Sequence, residues 1–178
     1  FPPSTSTPTP TPATSVIPVK PAPVEIIPKE DVDELWAYQA VATMQSFYQP
    51  LTPQWKDTLE GTTNALIALL DFMKLSGNRD YLYVVNKMYE TNKGTQNFVT
   101  DSYAINALWG IAWLKAYDLI SDNRYLESAK FIADDMDKTA WDTVCGGGIN
   151  TTRTEKTKRA YPNGLYIQFM AALHNHIP

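Results

Sequence analysis

The sequence predicts an all-α chain built from helical hairpin repeats, and three observations carry that prediction. From Asp31 onward, apolar residues recur at steps of three and four. Stretches with one apolar stripe alternate with stretches that are apolar nearly all round. An Asn-x-Leu signature, Asn64-Ala65-Leu66, returns as Asn106-Ala107-Leu108 and as Asn163-Gly164-Leu165, at spacings of 42 and 57 residues. A period near 40 residues that pairs a one-sided helix with a buried one marks stacked helical hairpins. The longer second interval holds a glycine loop.

Residues 1–30 come first and stand apart, with nine of the thirteen prolines and eight Ser or Thr. Such a segment lacks the apolar surface to fold, and proline holds it extended. It reads as a disordered, O-glycosylated stalk, which implies export through a eukaryotic, fungal-type pathway to the exterior or the cell wall. The domain is expected over 31–178. Its first helix, 31–48, carries Val32, Trp36, Ala40, Met44 and Phe47 on one face. The second, 62–76, is apolar on most sides and ends at Ser76-Gly77-Asn78, a helix-stop signal. Residues 79–93 are one-sided again through Tyr81, Val84, Val85, Met88 and Tyr89. Residues 102–120 return to a buried type with Leu108, Trp109, Ile111, Trp113 and Leu114. Residues 123–138 are one-sided through Tyr125, Ala129, Ile132, Ala133 and Met136, and 163–175 is richly apolar. Helix starts repeat too: Asn78-Arg79-Asp80-Tyr81-Leu82 parallels Asp122-Asn123-Arg124-Tyr125-Leu126. Inner helices are therefore expected at 62–76, 102–120 and 163–175.

Composition excludes several functions. Charged residues make up 19% and the net charge is -4, with no basic run, which disfavours nucleic acid as a partner. No apolar run reaches the roughly 18–20 residues of a membrane span. The one cysteine, Cys145, excludes an internal disulfide and reads as a buried, inert thiol rather than one that has lost its partner. His174 and His176 are two residues apart at a helix end and face different ways, so no metal pair is expected. No zinc spacing or phosphate-binding glycine fingerprint appears, and no cofactor is expected. The chain starts at Phe1 and stops at Ile177-Pro178 straight after a helix, and so reads as a fragment or truncated product.

One stretch is specific. Trp141-Asp142 leads into Val144-Cys145-Gly146-Gly147-Gly148-Ile149, and Asn163-Gly164-Leu165 then opens a helix that closes on Ala172-Leu173-His174-Asn175. This arrangement resembles glycoside hydrolase family 76, over roughly residues 31–175. The resemblance implies an (α/α)6 toroid acting on α-1,6-linked mannan. Six helices would make half of such a ring, and open inner helices would suit a homodimer. The family's catalytic motif resembles Asn-Asp-Tyr-Tyr-Asp-Asp-Glu-x-Trp-Trp at the start of an inner helix. Here the matching run is Thr100-Asp101-Ser102-Tyr103-Ala104-Ile105-Asn106-Ala107-Leu108-Trp109. Asp101, Tyr103 and Trp109 match, but the aspartate pair falls on Ala104 and Ile105. A retaining glycosidase needs two carboxylates about 5 Å apart, so the resemblance implies an inactive form. Asp101 is the one weak catalytic candidate; the pair Asp134-Asp135 sits on an outer helix and reads as a solvated face.

The residues expected to meet substrate are Asp101, Tyr103, Trp109, Trp141, Asp142, Asn64 and Asn163. All but Tyr103 and Asp142 have a structural alternative. Asp101 is placed to cap a helix, the repeated asparagines to cap inner helices, and the tryptophans to fill core. Asn150-Thr151-Thr152 is a glycosylation sequon at Asn150. The function expected is a degenerate, mannan-type polysaccharide- or wall-binding protein. The alternatives are an active endo-α-1,6-mannosidase or wall transglycosidase with its catalytic residues outside this chain, and a helical scaffold.

Overall fold

The computed structural model describes residues 29–177 except Lys56 and Thr95. The expected stalk lies outside the described residues, save Lys29 and Glu30, which already belong to the first helix. Six α-helices follow: α1 Lys29–Ser46, α2 Leu59–Ser76, α3 Leu82–Lys93, α4 Tyr103–Ile120, α5 Asn123–Thr139 and α6 Ala160–His174. Every expected helix forms, each boundary within three residues of expectation. No described helix is long and apolar enough to cross a membrane.

Local chemistry sets the starts. Thr58 Oγ1 accepts from Gly61 N at 3.0 Å ahead of α2, and Asp122 Oδ1 accepts from Arg124 N at 3.1 Å ahead of α5. The residue capping α4 is Ser102, whose Oγ accepts from Ile105 N at 3.5 Å. Each satisfies a donor that the first helical turn leaves free. The capping alternative for Asp101 is thereby corrected by one residue.

Helix α4 lies in the middle, packed by α2, α5 and α6. It is the only inner helix buried nearly all round, and its Trp109 and Trp113 stack at 5.3 Å. Tyr125 of α5 stacks on Trp113 at 5.6 Å, and Tyr89 of α3 meets Trp113 edge-on at 5.2 Å. These rings bury large apolar areas in the offset and edge-on arrangements their quadrupoles favour. Gly110 lets α6 approach, because a methyl there would run into the Phe169 ring. Helices α3 and α5 bury the stripes expected of them: Val84, Val85, Met88 and Tyr89, and Tyr125, Ala129, Ile132, Ala133 and Met136.

Three expectations about burial and extent are corrected. On α1, Trp36 and Ala40 are exposed, as is Phe47 just beyond it; Met44 turns inward as expected, but in company with Tyr38 and Val41. As the end helix it has one helical neighbour, and the face it offers is the one that seats Tyr38 against Phe72 at 4.9 Å. Helix α1 also stops at Ser46, and a two-residue hairpin follows: β1 Tyr48–Gln49 pairs antiparallel with β2 Gln54–Trp55, Tyr48 opposite Trp55. Pro50 disfavours helical geometry at Gln49 and offers no backbone donor, which ends the helix. Finally, α6 buries only Pro162, Phe169 and Leu173, and α2 leaves Leu59 and Leu75 open. Helix α6 packs mainly on α4, and α2 lies between α4 and the lightly seated α1, so both keep exposed sides.

The connections preceding α2, α4 and α6 are long, and those preceding α3 and α5 are short. Antiparallel alternation sends the long ones to one end. Direct contacts confirm this: Ser102 bridges Thr152, and Tyr161 of α6 reaches Glu60 of α2. The inner helices begin at that end.

Candidate functional site

The glycine loop is the most constrained part of that end. Gly146, Gly147 and Gly148 have φ of +87°, +100° and +120°, so the run is open only to glycine without strain. A Cβ on Gly148 would lie 2.8 Å from Asn163 Oδ1. Asn163 holds the loop: its Oδ1 accepts from Ile149 N at 2.9 Å, and its Nδ2 donates to Ile149 O at 3.0 Å and Arg159 O at 2.8 Å. Asn106 does the same one repeat earlier, its Oδ1 accepting from Thr100 N at 2.7 Å and its Nδ2 donating to Thr100 O at 3.2 Å. The recurring asparagine thus ties each connection to the helix it feeds. Asn64 differs: it is exposed, and its Nδ2 donates to Glu60 O at 3.0 Å.

Asp142 anchors the loop from the other side. It is ion-paired with Lys158, takes Asn150 Nδ2 at 2.9 Å, and accepts from Val144 N at 2.9 Å. The Lys158 hydrogen bond, then that from Asn150, pull its carboxyl down to about 2. Opposite, Arg153 pairs with Asp135, donates from Nε to Thr100 O at 3.0 Å and lies over the Tyr103 ring. Asp135 is therefore a loop anchor and not the solvated residue expected; Asp134 alone is exposed.

Several expected contacts are corrected. Trp109 is 1% exposed inside the aromatic core, and Tyr103 is buried with its hydroxyl donating to Thr139 O at 2.7 Å. Neither ring is free to meet a ligand. Asn150 is 2% exposed, and its Nδ2 donates to Ala140 O and Asp142 Oδ2. In the fold this amide is not presented to solvent, which leaves no room for a glycan at the expected sequon unless these bonds are broken. Cys145 is exposed, at φ +55°, and not buried. Asp101 is exposed and accepts from Thr154 Oγ1 at 3.3 Å.

Polar and aromatic groups open at this end include Asp101, Asn64, the Trp141 ring (52% exposed) and Tyr161, with half-buried Glu60 beside it; neither Glu60 nor Tyr161 was among the expected site residues. Tyr161 donates to Glu60 Oε1 at 2.6 Å, and burial together with that acceptor pushes its phenol up to about 12. Tyr166, 6.2 Å from Trp141, donates to Asp137 at 3.0 Å, and burial with this acceptor likewise raises it to about 12. Glu60 lies one turn before Asn64, and Tyr161 two residues before Asn163, so both were signalled by the repeat they flank. Ala104 and half-buried Ile105 occupy the first turn of α4. The arrangement offers carboxylate, amide and aromatic groups suited to polyhydroxylated ligands. A hollow of about 540 Å³ between α1 and α2, lined by Tyr38, Val41, Phe72 and Leu75, is apolar and lies toward the opposite end of α2.

No protein-family model matches the chain, and no curated protein matches it in sequence. Solved structures do. An inactive variant of an α-1,6-mannanase from Salegentibacter sp., with two adjacent aspartates replaced by alanine and in complex with α-1,6-mannotetrose, superposes with a TM-score of 0.73 at 21% identity. It covers 80% of this chain and 45% of its own. The corresponding asparagine variant, in complex with α-1,6-mannotriose, gives 0.74 at 21% identity, covering 81% and 46%. A glycoside hydrolase family 76 mannosidase of Bacteroides thetaiotaomicron gives 0.66 at 17%, covering 84% and 49%. The chain thus spans about half the length of the solved proteins it matches. The six-helix array and these superpositions together make this a partial glycoside hydrolase family 76-like fold.

Proposed function

We propose that the chain is an extracellular or wall-associated, mannan-type glycan-binding domain that does not hydrolyse its ligand. The observation that carries this reading is the first turn of α4, where Ala104 and Ile105 stand at the positions the motif resemblance gives to the catalytic aspartate pair. A methyl and a sec-butyl group neither transfer protons nor attack an anomeric carbon. The Salegentibacter variants support the other half of the reading: with both adjacent aspartates replaced they are inactive and still complexed with mannooligosaccharides. The Ser/Thr/Pro-rich residues 1–28 support export.

The test is prolonged incubation with α-1,6-mannan and a count of new reducing ends. None is expected above the protein-free control, since an enzyme's stabilisation of the transition state, commonly at least ~8 kcal/mol, is lost with both carboxylates. Product release abolished by Asp101→Ala would contradict the reading and make Asp101 a catalyst. A second reading, half of an active mannosidase or transglycosidase ring, is favoured by the 45% share of the solved chain that is matched. It predicts no product release from this chain alone, and release that survives Asp101→Ala once the rest of the ring is supplied.

A further inference from the structure

Helices α2 and α6 flank α4, so their axes stand roughly 16–20 Å apart at the usual spacing of packed helices. Only long side chains pointing at one another span that gap. Tyr161, in the first turn of α6, and Glu60, in the first turn of α2, do so, with the phenol donating to Oε1 at 2.6 Å. Helix α5 also packs on α4, and the pair joins the first turns of α2 and α6 at the end where the first turn of α4 carries Ala104 and Ile105. Glu60 keeps further carboxylate lone pairs free, Asn64 shows its amide one turn deeper on the same helix, and Tyr161 leaves a ring 49% exposed. Of the aromatic residues expected to meet substrate, Trp109 and Tyr103 are sealed in the core, and Trp141, 52% exposed, stands beside the glycine loop. No other pair of described residues joins the two edges of the array through a side-chain hydrogen bond.

We infer that Glu60 and Tyr161 form the carbohydrate-recognition pair of this face, Glu60 accepting from hydroxyls of an α-linked hexose oligosaccharide and the Tyr161 ring stacking against a sugar face. The inference rests on the glycan-binding reading above. Tyr161's hydroxyl gives way to sugar hydroxyls on Glu60, and the ring stays in place as the platform.

The experiment is isothermal titration of the full chain with α-1,6-mannotriose, for the parent and for Glu60→Gln, Tyr161→Ala and Tyr161→Phe, with far-UV circular dichroism confirming equal helix content. Glu60→Gln and Tyr161→Ala are each expected to weaken binding at least about fivefold. Tyr161→Phe, which keeps the ring, stays within about twofold of the parent. In the parent, the Tyr161 ring resonances shift on adding the triose, a readout independent of any variant's folding. A parent that binds while Glu60→Gln and Tyr161→Ala bind equally well overturns the pair and leaves the glycan-binding reading standing. Tyr161→Phe as weak as Tyr161→Ala overturns the ring's part. A parent that does not bind overturns both.

Discussion

Asp142 gathers Lys158, Asn150 and the Val144 amide onto one carboxylate, and these hydrogen bonds hold its acidity near 2. In the unfolded chain an aspartate titrates at about 3.9. Because the folded value is the lower one, the contribution to loop stability is fully present above the unfolded pKa and is lost as the pH falls through about 2. The Trp141 indole resonance, beside the loop, is expected to hold constant from neutral pH to about 4 and to shift between about 4 and 2. Asp142→Asn removes that window, and a parent that responds only above pH 5 contradicts the assignment. A different residue tests the core. Trp109→Ala is expected to lower stability by about 3–5 kcal/mol in urea unfolding, as for other buried large-to-small changes; a cost below about 1 kcal/mol would mean the ring is not packed as described. At this scale the sequence was informative about identity more than about exposure. Trp141 and Trp109 look alike as aromatics beside apolar helices, and only the fold sends one outward and the other into the stack. Asn150 in the loop and Asn163 in the first turn of α6 are likewise both asparagines beside the glycine run, and neither sequence context reveals that their amides are spent on backbone carbonyls and a carboxylate.

Among the elements, α4 and α6 interlock at Gly110, where the Phe169 ring fills the space a side chain would take. Gly110→Ala improves helix propensity, yet the overpacking is expected to outweigh that gain and cost about 1–3 kcal/mol net. Chemical denaturation checks this, and unchanged or raised stability would contradict the close approach. Helix existence was readable because apolar periodicity is a property of each segment alone, and the three-step alternation of inner and outer helices followed from it. Which face turns inward was readable for α3 and α5, each set against several neighbours. It was misread for α1, where a single neighbour selects Tyr38 and Val41 over the stripe through Trp36 and Ala40. The hairpin Tyr48–Trp55 escaped because each strand is two residues long, too short for any period, and only Pro50 and Pro53 mark it.

Over the whole molecule, the chain matches about half the length of the solved proteins, and α2 and α6 keep exposed sides. An array of six helices reproduces one arc of the larger fold, with α4 enclosed and its neighbours exposed at the edges. The candidate site is an open face and not an enclosed cleft: the glycine loop, Asn163 and Asp142 lie at the end where the inner helices begin, with the polar groups of Asn163 and Asp142 holding the loop, while Glu60 and Tyr161 meet only because two chain segments 101 residues apart converge. Binding on such a face is expected to be weak, about -4 to -6 kcal/mol. Saturation-transfer NMR on α-1,6-mannotriose, followed over days with the full chain, tests binding and hydrolysis in a single sample. The account predicts saturation transfer to the triose with its anomeric signals unchanged throughout. Growth of mannose or mannobiose signals, or the absence of any transfer at millimolar triose, would contradict it.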